Sequence, residues 1–294
     1  VTDPAELIER LESTISGYRA PRALVAFSGG VDSATTLALG ARALGREAVT
    51  AVTAVSPSYA TGELDAARDL AMLIGVEHRT IDTGEVEREA YARNDGMRCF
   101  HCKAELYTVL ARLVSETARE GTVVMAGANA DDKNEFRPGL LAADRFGARN
   151  PLLEVGVGKR EVRAIARRLG LTVSEKPALA CLSSRVAFGI RITPDLLARI
   201  DRAEAMVRSL GFETVRVRHR GDVATIEVEP ADVRRLEAHS GLSSLLADLR
   251  DLGWREAKVD PAGYLAGSMN STLLINPILS SLRAAARRVN GIAG

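Results

Sequence analysis

At 294 residues, 46% of them apolar, the chain is long enough for one large domain and a smaller one. The formal net charge of +1 argues against wholesale dependence on nucleic acid, although charge can still be segregated locally. No apolar run approaches bilayer length and no basic-then-apolar stretch opens the chain, which reads as no membrane span and a cytoplasmic location. In a reducing compartment, 3 cysteines suggest metal binding or reactivity rather than a disulfide framework.

Asp3 to Gly17 carries Leu7, Ile8, Leu11 and Ile15 at helical spacing, with Asp3 as cap and Pro4 in the first turn. Ala23 to Phe27 is a continuous apolar run, the pattern of a strand buried on both faces, and Ala34 to Leu44 reads as the helix that packs back on it. Between them lies Ser28-Gly29-Gly30-Val31-Asp32-Ser33. Two glycines there can take conformations closed to other residues. Successive N–H groups, the helix N-terminus and the hydroxyls of Ser28 and Ser33 then form a concave site for a phosphate. The run lacks the Lys-Ser/Thr ending of a Walker A loop and the G-x-G-x-x-G of a dinucleotide fingerprint.

Ala48 to Val55 is the next strand, followed by Ser56-Pro57-Ser58-Tyr59, a helix over Thr61 to Ile74 and a third strand over Val76 to Asp82. Asp95 to Lys103 interrupts the rhythm with Gly96, Cys99 and Cys102, after which Ala104 to Arg119 is helical. Thr122 to Ala126 is a buried strand that leads into Gly127-Ala128-Asn129-Ala130-Asp131-Asp132. Pro151 to Val155, a helix over Lys159 to Leu169 and a turn at Gly170 complete the strand–helix alternation. The expected architecture is α/β, a doubly wound parallel sheet over residues 1–186, with ligands at the C-terminal strand ends.

From Thr193 the pattern changes. A helix through Leu210 is followed by alternating strands, Thr214 to His219 and Ala224 to Val228, joined by Arg220-Gly221-Asp222. A helical stretch from Ala231 to Leu252 and a strand near Arg255 to Val259 complete a smaller α+β domain, residues 187–294, ending in an Ala/Arg-rich tail after Ser280.

Ser28 to Ser33 resembles the S-G-G-x-D-S pyrophosphate loop of the N-type ATP pyrophosphatases, the PP-loop superfamily. Arg98-Cys99-x-x-Cys102-Lys103, Gly127 to Asp132, Lys176 to Arg185 and Gly267-Ser268-Met269-Asn270 narrow the resemblance to the LarE family of ATP-dependent sulfur transferases, which build the pyridinium thiocarboxylates of the nickel-pincer nucleotide. The resemblance implies an adenine nucleotide α-hydrolase-like fold and ATP cleaved between its α and β phosphates. AMP passes to a carboxylate of a pyridinium dicarboxylate mononucleotide, pyrophosphate leaves, and sulfur replaces oxygen.

On that reading ATP lies on Ser28, Gly29, Gly30 and Ser33, with Asp32 as ligand or outer partner of Mg²⁺ and the adenine near Val55 and Ser56. Gly127 and Asp131 belong to the nucleotide site. Asp131 and Asp132 read equally as metal or ribose ligands and as a helix cap with a first-turn acid. Lys103 and Lys176 either balance phosphate charge or are solvated.

Cys181 corresponds to the family's working cysteine, with Arg185 expected to lower its thiol pKa and, with Ser184, to hold an anionic substrate. A lone C-x-x-C could also be a redox pair or half of a zinc site. The three-cysteine pattern resembles the subtype in which Cys99, Cys102 and Cys181 hold a [4Fe–4S] cluster with an iron open to a sulfide. The alternative is that Cys181 surrenders its own sulfur while Cys99 and Cys102 are structural. His101 inside the pair reads as solvent-facing or hydrogen-bonded.

Arg216 and Arg218 share one face of their strand, suited to a phosphate or carboxylate, or else to a solvated sheet face balanced by Glu213, Glu227 and Glu229. Resemblance adds Glu227 and Asp260 as acid, base or metal partners, and suggests a homo-oligomer. The rival readings are a tRNA 2-thiolation enzyme and a non-catalytic ATP-binding regulator.

Overall fold

The computed structural model describes residues 2–116, 121–134, 137–177 and 180–265. Gly267 to Asn270, the tail after Ser280, and Ala178 and Leu179 lie outside them. Packing divides the chain into two units, Val1–Glu85 with Cys99–Leu179, and Val86–Arg98 with Ala180–Gly294.

The elements run α1 (Pro4–Ser16), β1 (Arg22–Ala26), α2 (Val31–Leu44), β2 (Val49–Val55), α3 (Glu63–Ile74), β3 (Glu77–Asp82), α4 (Glu89–Ala92) and α5 (Arg98–Glu116). There follow β4 (Thr122–Met125), α6 (Pro138–Arg145), α7 (Pro151–Val155), α8 (Lys159–Arg168), α9 (Pro194–Ser209), β5 (Val215–Arg220), β6 (Val223–Val228), α10 (Val233–Glu237), α11 (Leu242–Asp251) and β7 (Glu256–Val259).

In the first unit the four strands are parallel in the order β3-β2-β1-β4, so the chain reverses direction across the sheet on either side of β1. Alternate residues of β1 feed two cores. Ala23 and Val25, with Phe27 just beyond the strand, pack with Leu7, Leu11 and Ile15 of α1, Leu37 of α2 and Ile165 of α8. Leu24 faces Val52, Leu106, Tyr107 and Leu110 on the other side. Helices on both faces make the sheet doubly wound. The Asp3 carboxylate accepts from Ala5 N at 3.0 Å and starts α1, whose four buried aliphatic side chains each contribute about 1.5–3 kcal/mol.

Two local expectations change. Pro151–Val155 is a short helix rather than a strand: Pro151 presets a helical φ, and Glu154 Oε1 reaches back to Asn150 N at 2.9 Å. Cys99 and Cys102 lie inside the first turns of α5, because Asp95 Oδ1 accepts from Met97 N at 2.8 Å and lets the helix begin at Arg98. Among the described residues no helix is long and apolar enough to cross a membrane.

The second unit is a three-stranded sheet in the order β5-β6-β7, antiparallel then parallel. Its two-residue hairpin turn is Gly221-Asp222, with Gly221 at φ +68°. The helical stretch expected over Ala231 to Leu252 is two helices, α10 and α11, parted at residues 238–241.

Candidate functional site

In the first unit the loop Ser28 to Ser33 leaves the C-terminal end of β1 and enters α2. Only Gly29 needs glycine's freedom, at φ +77°; Gly30 is extended and serves as N-cap of α2, which corrects the expectation for the pair. The loop is tied internally. Ser33 Oγ donates to Gly30 O at 3.0 Å and lies 3.2 Å from Ser28 Oγ, and the first-turn N–H groups of α2 carry the positive end of the helix dipole.

Asp32 stands in that first turn. Asn129 Nδ2 donates to its Oδ1 at 3.1 Å. Burial raises the Asp32 pKa, the Asn129 hydrogen bond opposes that, and the Asp132 carboxylate adds to the rise. A desolvated carboxylate beside a second one is where a divalent cation relieves most electrostatic cost, so the donor set fits Mg²⁺. Gly127 is held against this turn. A Cβ there would lie 2.7 Å from Asp32 C and from Ser33 N, so the loop after β4 reaches the loop after β1 only as glycine.

Asp131 and Asp132 have separate jobs. Asp131 Oδ2 accepts from Lys159 N at 2.7 Å, which caps α8, a different helix from the one its sequence neighbours suggested. Asp132 Oδ2 accepts from Asn129 N at 3.1 Å, and its Oδ1 is 3.1 Å from Arg137 Nη2. Asn129, which the residue-type reading passed over, is the hub: its Oδ1 accepts from Asp131 N and its amide holds Asp32. An Asn four residues past a buried strand was the available signal.

Ser56 directly follows β2, but its hydroxyl donates to Glu85 Oε1 at 2.5 Å, and Ser58 donates to the same oxygen at 3.0 Å. The turn they form carries Tyr59, whose hydroxyl donates to Ser28 O at 3.2 Å. Lys176 is paired with Glu63 at 2.8 Å rather than solvated. Cys99 is exposed and Cys102 half-exposed, three residues apart on α5.

In the second unit Cys181 is exposed and precedes a short 3₁₀ turn, Leu182–Arg185. Arg185, expected to serve the thiol and an anion, is instead buried at 2% exposure. Its guanidinium pairs with Glu204 at 2.8 Å and donates to Cys181 O at 3.0 Å and Ser184 Oγ at 3.1 Å. It therefore fixes the shape of the turn that carries the thiol. Arg98 donates to Ser183 O at 2.9 Å, Arg218 to Ser184 O at 3.0 Å, and Tyr91 Oη lies 2.7 Å from Ser183 Oγ.

Arg216 and Arg218 are buried, which removes the solvated-face alternative. Glu227, expected as acid, base or metal partner, is 2% exposed and pairs with Arg218 at 2.8 Å. Asp260 caps a turn by accepting from Ala262 N at 2.9 Å. Among the described residues no three His, Cys, Asp or Glu side chains gather as a metal shell; Cys99 and Cys102 belong to the first unit and Cys181 to the second. Glu204 was legible only as an acid on the buried stripe Leu197, Ile200, Ala203 and Val207 of α9.

A parallel sheet whose first strand ends in S-G-G-x-D-S, with a buried Asp in the first helical turn beyond, defines an α/β nucleotide-binding protein of the PP-loop class. Residues 5–177 match the NAD synthase family model. The chain is 36% identical over 253 residues to the pyridinium-3,5-bisthiocarboxylic acid mononucleotide synthase of Lactiplantibacillus plantarum, covering 86% of this chain and 90% of that one. It is also 40% identical over 252 residues to an uncharacterized protein of Synechocystis, covering 86% and 93%. The chain belongs to the LarE family of PP-loop proteins, whose members are ATP-using enzymes.

Proposed function

We propose that the protein is an ATP-dependent sulfur transferase that converts a carboxylate of a pyridinium dicarboxylate mononucleotide into a thiocarboxylate. The observation that carries the reading is Asp32, set by Asn129 beside a pyrophosphate-type loop, in a chain similar along most of its length to a bisthiocarboxylate synthase.

A carboxylate resists a sulfur nucleophile because its carbon is electron-rich and its oxygen leaves poorly. Attack of that oxygen on the α-phosphorus of ATP breaks the bond to the β-phosphate, releases pyrophosphate and leaves an acyl adenylate. Sulfur then attacks the acyl carbon and AMP departs. The residues assigned to the first step are Ser28, Gly29, Gly30 and Ser33 on the phosphates, and Asp32 with Mg²⁺, which neutralises the departing pyrophosphate. Gly127 and Asp131 hold the neighbouring loop in place, and Ser56 shapes the turn on the adenine side.

In the second step Cys181 is the thiol on the substrate side, on a turn that Arg185 fixes. Arg216 and Arg218 bind a substrate anion. Burial, followed by the nearby Arg185 charge, pushes the Arg216 guanidinium below its usual range, and a bound anion relieves that. Ser184 and Asp260 border this region as substrate contacts, and Glu227 sets Arg218.

Three thiols are the chemistry a [4Fe–4S] cluster takes, and Cys99, Cys102 and Cys181 would hold it; when bound it supplies a sulfide without consuming the protein. In the competing route Cys181 gives up its own sulfur. The assay is ATP, Mg²⁺, sulfide and pyridine-3,5-dicarboxylate mononucleotide supplied together. Expected products are AMP, pyrophosphate and a thioacid; neither AMP nor thioacid from intact protein ends the proposal. Anaerobic protein is expected to contain iron and sulfide that fall in Cys99→Ala. Iron-free protein after reconstitution, with a loss of H₂S at Cys181 in the intact mass, selects the sacrificial route.

A further inference from the structure

Arg216 and Arg218 stand two residues apart on β5, opposite Glu227 and Thr225 of β6, and are 8% and 4% exposed. Two guanidinium groups on one buried strand face repel each other and have lost their hydration. Glu227 pairs with Arg218 at 2.8 Å, and one aromatic ring adjoins both guanidinium groups. The Tyr264 centroid is 5.3 Å from Arg216 Cζ and 6.0 Å from Arg218 Cζ, within the range at which a ring face attracts a cation.

The backbone brings that ring there by a narrow route. Tyr264 N donates to Val228 O at 2.7 Å, at the end of β6. The residue before it, Gly263, has φ +68°, and a Cβ there would lie 2.8 Å from Val228 O and 2.9 Å from Pro230 Cα. Only glycine lets the chain double back this closely.

We infer that Tyr264 is a positioning residue that sets substrate specificity: its ring fixes the paired guanidinium groups of Arg216 and Arg218 for an oxyanion of the substrate. The inference rests on the sulfur-transfer reading, in which that oxyanion is a phosphomonoester or a ring carboxylate. The ring restricts each guanidinium without taking an N–H donor, so the N–H groups beyond those bonded to Glu227, Ser184 O and Val215 O are held in place for the anion. It also supplies negative quadrupole where a second carboxylate would neutralise the site and weaken anion binding.

Titration calorimetry on the full chain tests this with Tyr264→Phe and Tyr264→Leu against four probes: pyridine-3,5-dicarboxylate mononucleotide, inorganic phosphate, pyridine-3,5-dicarboxylate and ATP. Tyr264→Leu is expected to weaken the mononucleotide about tenfold and leave ATP unchanged, while Tyr264→Phe stays within about twofold of the parent. Whichever of phosphate or dicarboxylate shares the Tyr264→Leu loss identifies the oxyanion. Should Tyr264→Leu not fold, Tyr264→Met replaces it, with a longer, flexible apolar side chain and no ring face. A mononucleotide Kd unchanged in the ring-less variant overturns the inference alone, as does a Tyr264→Phe loss as large as that of Tyr264→Leu. Parent protein that binds ATP and none of the other three probes overturns the inference and the substrate reading together.

Discussion

Asp32 is under two opposed demands. The proposed chemistry wants it ionised next to magnesium, yet burial and the Asp132 charge raise its pKa in the ligand-free fold. A carboxylate raised in the folded state favours folding below its ordinary value, and that contribution is lost as pH rises through the raised value. In the unligated protein the ionised form of Asp32 is therefore the costly one. Asp32→Asn is expected to unfold at a higher temperature than the parent at pH 7, with the gap closing in acid, and to release pyrophosphate about a hundredfold more slowly or worse. Parallel calorimetry and pyrophosphate assays check both, and unchanged release removes Asp32 from its assigned role. The position of Asp32 could be read from the S-G-G-x-D-S run, because strand, loop and helix are contiguous in sequence. Its partner Asn129 is 97 residues away, and no local pattern reports such a pairing.

At the scale of elements, the β5–β6 hairpin was legible because residues alternate on either side of a Gly-Asp turn. What faces the helices was not. Trp254 Nε1 donates to His219 Nδ1 at 2.9 Å, so His219 is held neutral with its proton on Nε2. Burial lowers the His219 pKa below the ordinary 6.5, with the Arg199 charge on α9 acting the same way and Asp222 opposing. A histidine lowered in the folded state contributes stability above about 6.5 that is lost as pH falls below it, since the unfolded chain takes up the proton first. His78 on β3 carries the same sign. The thermal midpoint is thus expected to drop as pH goes from 7 toward 5, less steeply in His219→Gln; equal slopes would remove His219 as a source. The starts of α5 and α7 escape the sequence pattern for one reason: Asp95 and Glu154 act there through side-chain hydrogen bonds that hydrophobic periodicity does not register.

For the molecule as a whole, alternation of strand and helix was enough to give the doubly wound sheet, and a change of period marked a second body of structure. The membership of Val86–Arg98 in that second body left no compositional trace. It depends on Tyr91 reaching Ser183, and on Asn94 Nδ2 donating to Ala187 O at 2.9 Å and Ile190 O at 3.0 Å. A fragment of residues 187–294 lacks these partners. It is expected to give poorly dispersed NMR spectra and no cooperative melt, and a sharp melt from that fragment would refute the dependence.

Synthesis on a ribosome imposes a schedule on such an excursion. Tyr91 is made 92 residues before Ser183, the group it bonds. At about 5–20 residues per second the early segment waits roughly 5–20 s for its partners to emerge. During that interval its apolar side chains are open to chaperones and to misassociation with neighbouring nascent chains. Expression yield should accordingly respond to translation speed across codons 99–180 more than to speed elsewhere in the message.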